Sequence, residues 1–122
     1  MTELYVLRKN NVPRRVKSET AWAQWMYRRG RLKPVAKSKG IVSLCGVPLG
    51  NVEVSTVFLG INHRFGEGPP LLFETMVFGG PMDQYCLRCS TYDEALIQHD
   101  LVIERVRLAY KDTPHLERLR RN

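Results

Sequence analysis

Between Val52 and Gly80 the chain reads VEVSTVFLGINHRFGEGPPLLFETMVFGG, two apolar stretches joined by a glycine- and proline-rich loop, and nothing else in the sequence restricts the fold as strongly. Val52, Val54, Thr56 and Phe58 alternate with Glu53, Ser55, Val57 and Leu59, the period of two that a strand requires. One face is apolar from the start and the other becomes so towards its end, so the strand passes from half-covered to fully covered. Leu71 to Phe78 is a second buried strand in which Glu74 is the one charged residue, and Gly79, Gly80 and Pro81 end it. Tyr85, Leu87 and Cys89 alternate with Gln84, Cys86 and Arg88 in a third. Short consecutive connections make an antiparallel meander the economical topology.

The elements on either side follow from local signals. Thr91 with Glu94 three residues later is a capping box before an apolar-periodic run. It predicts a helix from Tyr92 to about Tyr110, with Ala95, Leu96, His99, Val102, Ile103, Val106 and Ala109 on the side that lies across the sheet. Near the other end, Ser18 precedes ETAWAQWMYRR, which places Trp22, Trp25, Met26 and Arg29 at helical spacing, and Gly30 stops that helix. Leu4 to Leu7 is a short strand, followed by a polar turn region with Asn10 and Asn11, and Pro13 interrupts any longer strand. Val35 and Ala36, set among lysines, read as an edge strand. Ile41 to Cys45 reads as another, closed by the turn residues Gly46 to Asn51. The expected fold class is α+β: one domain over residues 1–122, with an antiparallel sheet of four or five strands packed against an N-terminal and a C-terminal helix.

A chain of 122 residues holds one core without metals or disulfides as staples. Its longest apolar run, Val57 to Ile61, is far too short for a membrane span. MTELYVLRKN lacks a secretory pattern, and three cysteines (Cys45, Cys86, Cys89) make no disulfide framework, so a cytoplasmic location is expected. The net charge of +7 is unevenly placed. Residues 8–39 hold eleven cations against the single acid Glu19, whereas residues 40–104 hold eight acids against Arg64 and Arg88. Residues 112–122 form either a short extra turn or a basic tail. The basic segment would attract an anionic partner, whether nucleotide, nucleic acid or acidic protein surface, through Arg14, Arg15, Trp22, Arg28, Arg29, Arg31 and Lys33. The competing explanation is a solvated face, with the two tryptophans turned to the core. No helix-turn-helix, zinc-finger or RNA-recognition signature accompanies the charge.

Asn62, His63, Arg64, Phe65, Glu74 and His99 are the candidate ligand-binding set, because most are polar residues inside apolar blocks and the loop among them offers a donor, a cation and a stacking face. Such groups form either a site or a buried hydrogen-bond network. General acid–base work by His63 with Glu74 as its orienting carboxylate is the enzymatic alternative. No nucleophile motif or phosphate loop accompanies it, so no catalytic residue is assigned. Cys86 and Cys89 have CxxC spacing, but residues three apart on a strand point to opposite faces and cannot chelate one ion. No metal or cofactor is expected.

STVFLG at Ser55 to Gly60 with Asn62-His63, GPPLLFETMVFGG at Gly68 to Gly80, and TYDEALIQH at Thr91 to His99 together resemble a family of small uncharacterised proteins common in bacteriophages and prophages. The likeness covers roughly residues 52–102. That family usually carries glycine where this chain has Gln98 and an acid where it has Asn62, and the amide at Asn62 counts against a catalytic or metal role for an Asp-His pair. The resemblance implies phage origin and expression in the host cytoplasm. The first functional expectation is a non-enzymatic accessory protein that binds an anionic host or defence component, a candidate anti-defence or host-takeover factor. The alternatives are a small nucleotide- or phosphoester-processing enzyme and a virion or packaging component. No membrane partner is expected, and the sequence leaves homo-oligomerisation open.

Overall fold

The computed structural model describes residues 2–30 and 34–111. At its centre four strands form an antiparallel sheet in the order β3-β6-β7-β8: Ala36–Ser38, Glu53–Phe58, Phe73–Phe78 and Cys86–Cys89. The expected meander is β6-β7-β8. β6 and β7 pair along their full length, from Glu53 opposite Phe78 to Phe58 opposite Phe73. Because the side-chain period is two, this register sends Val54, Thr56, Phe58, Phe73, Thr75 and Val77 to one face, and all six are buried. Helix α2, Tyr92–Lys111, lies across that face. The other face carries Glu53, Ser55, Val57, Glu74 and Met76, all half-buried, with Lys37 on Glu53 at 3.1 Å and Arg88 on Glu74 at 2.9 Å.

The capping box holds α2 at its start. Glu94 Oε1 accepts from the Thr91 amide at 3.0 Å, and Thr91 Oγ1 accepts from the Glu94 amide at 3.1 Å. Val102, Val106 and Tyr110 then pack on Val52, Val54 and Val77, with Ile41 and Leu49 closing the end. Those last two belong to a small hairpin, β4 Ile41–Val42 and β5 Pro48–Leu49, so the strand expected over Ile41 to Cys45 is shorter than its apolar run. Burial of each such side chain contributes roughly 1.5–3 kcal/mol, so this layer is what fixes the helix to the sheet. Two assignments on α2 change. Leu96 is 40% exposed, because it lies about a quarter-turn from the line through Ala95, His99, Val102 and Val106. Tyr110, one turn beyond Val106, is the last core residue instead.

The N-terminal part forms a second packed unit at the end of the sheet where α2 begins. β1, Leu4–Leu7, pairs with β2, Pro13–Val16, in an antiparallel hairpin. Pro13 therefore opens a strand and does not merely interrupt one. Its missing N–H costs nothing at a strand's first residue, and the turn before it is made by Asn10 and Asn11 at φ 65° and 61°. Ser18 caps helix α1, Glu19–Trp25, its Oγ accepting from the Ala21 amide at 3.1 Å. The chain then widens into a single π-type turn, Met26–Gly30. Trp25, Met26, Tyr5 and Leu7 pack on Phe58, Leu72 and Phe73, forming a second cluster beside the first. Gly60 is the seam. Its carbonyl accepts from the Tyr5 amide at 2.8 Å and from Trp22 Nε1 at 3.0 Å. Arg31 and Lys33, and the tail at 112–122, lie outside the described residues.

Candidate functional site

Where the N-terminal unit meets the sheet, a cleft of about 300 Å³ opens between five elements. The hairpin contributes Leu7, Arg8 and Asn11, α1 and its final turn contribute Trp25 and Arg29, the approach to β3 contributes Pro34 and Val35, β6 ends in Phe58, and α2 begins with Tyr92. Each is there for a local reason. Arg8 leaves β1 at the hairpin turn, whose left-handed asparagines bring Asn11 back beside it. Trp25 is carried to the cleft by the helical period that also packs the half-buried Met26 against the sheet, and Arg29 follows one turn later. Val35 is fixed by its amide donating to Thr56 O at 2.9 Å.

The aromatic floor is organised by edge contacts. Trp25 meets Phe58 at a centroid distance of 5.7 Å and 85°, and Phe73 meets Tyr92 at 6.2 Å and 74°. Phe58 and Phe73 are themselves buried, so the aromatic surface open to a ligand is that of the half-buried Trp25 and Tyr92. The electrostatics are one-sided. Among the described residues no acid lines the cleft, and neither Arg8 nor Arg29 has a side-chain hydrogen bond or ion pair. Other arginines are engaged: Arg15 lies 3.7 Å from Glu3, Arg88 bonds Glu74, and Arg107 bonds Glu104 and Val42 O. A second hollow, lined by Ala21, Gln24, Trp25, Arg28 and Arg29, adjoins the cleft across Trp25.

The residues proposed from sequence fall in several places. Of the basic set, Arg29 is in the cleft and Arg28 beside it, while Arg14 and Arg15 project from β2. Trp22 is spent on structure, its indole N–H held by Gly60 O. Asn62 anchors the loop that follows β6. Its Oδ1 accepts from the Arg64 and Leu71 amides at 2.9 and 3.0 Å, and its Nδ2 donates to Glu3 Oε1 at 2.8 Å. Arg64 bends back so that its Nε donates to Pro69 O. His63 Nδ1–H donates to Ile61 O at 2.8 Å, and Phe65 stands fully exposed at the tip. Glu74 and His99 lie on opposite sides of the sheet, Glu74 paired with Arg88 and His99 on α2 facing Thr56. His63 and Glu74 share no hydrogen bond.

His99 is 4% exposed and sits in a chain of polar groups between sheet and helix. Gln98 Nε2 donates to Leu87 O and to Thr75 Oγ1, both at 3.0 Å. Thr75 Oγ1 lies 2.7 Å from Thr56 Oγ1, Thr56 Oγ1 lies 2.7 Å from His99 Nδ1, and His99 Nε2 lies 2.8 Å from Ser38 Oγ. The directions follow from satisfying every donor. Thr75 accepts from Gln98, so its own proton goes to Thr56, the hydroxyl of Thr56 then donates to Nδ1, and the ring proton on Nε2 donates to Ser38. Burial holds the imidazole pKa below its usual 6.5, with Asp100 opposing. A neutral ring that donates to Ser38 does not act as a base towards it, so the Ser–His contact is a structural link from β3 to α2.

Cys86 and Cys89 oppose Met76 and Phe73 respectively, and so face opposite sides of the sheet. Burial, then Glu94, pushes the Cys89 thiol up to about 11, which leaves little thiolate at neutral pH.

Arg8, Asn11, Phe58 and Tyr92 are absent from the sequence-derived sets. Their only advance signal is that Arg8 opens the basic segment, since the cleft is assembled from parts of the chain with no common motif. Comparisons with protein-family models, with curated proteins and with solved structures returned no match to this chain. What fold and site define is a two-layer α+β domain with a basic, aromatic-floored cleft at one end of its sheet.

Proposed function

We propose that this protein is a non-catalytic binder of an anionic ligand, acting in the cytoplasm of a phage-infected host as an accessory factor that sequesters or covers a host or defence component. The observation that carries the reading is the cleft containing Arg8 and Arg29, two cations without a counter-ion among the described residues, set against aromatic side chains. Arginine beside aromatic surface suits a partner that joins negative charge to a flat ring. The arrangement of the polar side chains favours binding over chemistry, because Asn62 and Arg64 hold the loop and Glu74 is neutralised by Arg88.

The test is calorimetric titration at low and moderate salt with mononucleotides, inorganic pyrophosphate and a short oligothymidylate, for the wild type and for the double substitution Arg8→Ala/Arg29→Ala. Both arginines are exposed, so the double variant should fold. The expected result is that at least one anion binds, more weakly in salt and in the double variant. If none binds at millimolar concentration, or if binding ignores both changes, the reading is wrong.

A further inference from the structure

The cleft's shape and chemistry narrow the class of anion. We infer that it takes a single nucleotide, with the base against the Trp25–Tyr92 side and the phosphate between Arg8 and Arg29, and that it does not track a nucleic-acid strand. This inference rests on the anion-binding reading and goes further in naming the ligand.

Size is the first reason. A volume of about 300 Å³ is at the lower end of small-molecule sites, which run from roughly 300 to 1,000 Å³. It suits one base with its sugar phosphate. Enclosure is the second. The hairpin, α1, the approach to β3, the end of β6 and the start of α2 all contribute walls to a half-open cleft, a shape that suits a compact ligand better than a strand laid along a surface. The third reason is where the remaining cations point. On β2 Arg14 and Arg15 are neighbours, opposite Val6 and Tyr5, and successive strand residues face opposite ways. Arg15 moreover sits 3.7 Å from Glu3. The hairpin therefore has no one-sided row of free cations along which a phosphate backbone could run. Arg28, in the hollow across Trp25, extends the positive field beside the cleft and leaves room for a phosphate to lie towards either arginine.

The chemistry requires both halves of the ligand. Stacking on aromatic surface is sequence-tolerant and a base alone would gain from it, but Arg8 and Arg29 would then stay without an anion. Inorganic phosphate would meet the arginines and leave the rings to water. A nucleotide satisfies both, so it should bind about tenfold or more tightly than either fragment, within the factor of about five to over a hundred that one stacked base is worth.

Calorimetry decides it, with 5′-AMP, 5′-GMP, 5′-CMP and 5′-UMP, the matching nucleosides, inorganic phosphate and a short oligothymidylate as the probes. The expected result is that at least one mononucleotide binds at least tenfold more tightly than its nucleoside and than phosphate. Arg8→Ala and Arg29→Ala should each weaken it at least tenfold, and Arg14→Ala, outside the cleft, should leave it unchanged. If the oligonucleotide binds and no mononucleotide does, the inference is overturned while the anion-binding reading stands. If no probe binds, both fall. Mononucleotide binding that is indifferent to Arg8 and Arg29 removes the site from the cleft and overturns the inference as well.

Discussion

Replacing Thr56 by valine tests the buried chain of hydrogen bonds that joins β3, β6, β7 and α2. Valine has nearly the shape of threonine, so the perturbation is chemical. It removes the donor to His99 Nδ1 and the acceptor for the Thr75 hydroxyl, both within 2.7 Å of Thr56 Oγ1. Each group stranded without a partner costs about 1–3 kcal/mol. Some of this is recovered because the new methyl is apolar, worth about 0.8 kcal/mol once buried. The net expectation is a loss of about 2–4 kcal/mol, a large part of the 5–15 typical of a domain this size. Urea denaturation at pH 8 measures it, provided the slope is unchanged between variants. Thr56→Ser keeps the hydroxyl and loses only a methyl, so it should cost about 1 kcal/mol. A valine variant no less stable than the serine variant would refute the network. Nitrogen chemical shifts of the histidine ring check the direction of the chain: Nε2 should carry the proton, and a proton on Nδ1 would reverse the donor order.

The same histidine sets a pH dependence. Its folded pKa is lowered, so the unfolded chain binds a proton first: stability from this site is complete above about pH 7 and declines as pH falls through 6.5 towards the folded value. Thermal melts between pH 8 and 5.5 should show this decline, and His99→Gln should flatten it; an unchanged slope in the variant would refute the assignment. Gly60→Ala should cost about 2–3 kcal/mol, since φ is +74° there, a conformation costing other residues about 1–2 kcal/mol, and the added carbon would meet Met26 Sδ at 2.8 Å and Trp22 Nε1 at 3.1 Å. Tryptophan fluorescence reads that loss directly, and a neutral result would mean the N-terminal unit does not pack at this seam. Asn62→Asp would set two carboxylates where Asn62 Nδ2 now donates to Glu3 Oε1. It should lower the melting temperature at pH 8 and much less at pH 4, where the pair can share a proton; equal losses at both pH values would show that charge is not the cause.

The parts of this fold that can be read in the chain are those whose causes are local. Alternation over Val52–Phe58 and the Thr91/Glu94 box each need only a few consecutive residues, and both elements form where those residues say. Pro13 misleads because a proline's effect depends on whether its position needs an N–H, and only pairing with Leu7 reveals that it does not. Leu96 and Tyr110 are mistaken because apolar spacing identifies a helical stripe without fixing its centre, and the sheet beneath shifts it by a fraction of a turn. Asn62 is legible as a special loop position, but its role depends on Glu3, which is brought alongside by the Leu4–Ile61 bridge.

The basic segment shows the same division at the level of function. Eleven cations in residues 8–39 would suit either an anionic partner or a solvated face, and charge alone ranks them equally. Register and pairing then separate them. Arg14 and Arg15 turn to opposite sides of the hairpin, Arg15 meets Glu3, and Lys37 meets Glu53. Exposed pairs of this kind are worth at most about 1 kcal/mol, yet each neutralises the local field that a ligand would feel. Arg8 and Arg29 differ because no described residue pairs with either and Leu7, Trp25, Val35, Phe58 and Tyr92 line the cleft with them. Apolar walls on one flank strengthen each contact an anion makes there. In the proposed reading, the absence of acids among the described residues that line the cleft, more than the number of cations on the segment, is what would distinguish a site from a basic surface.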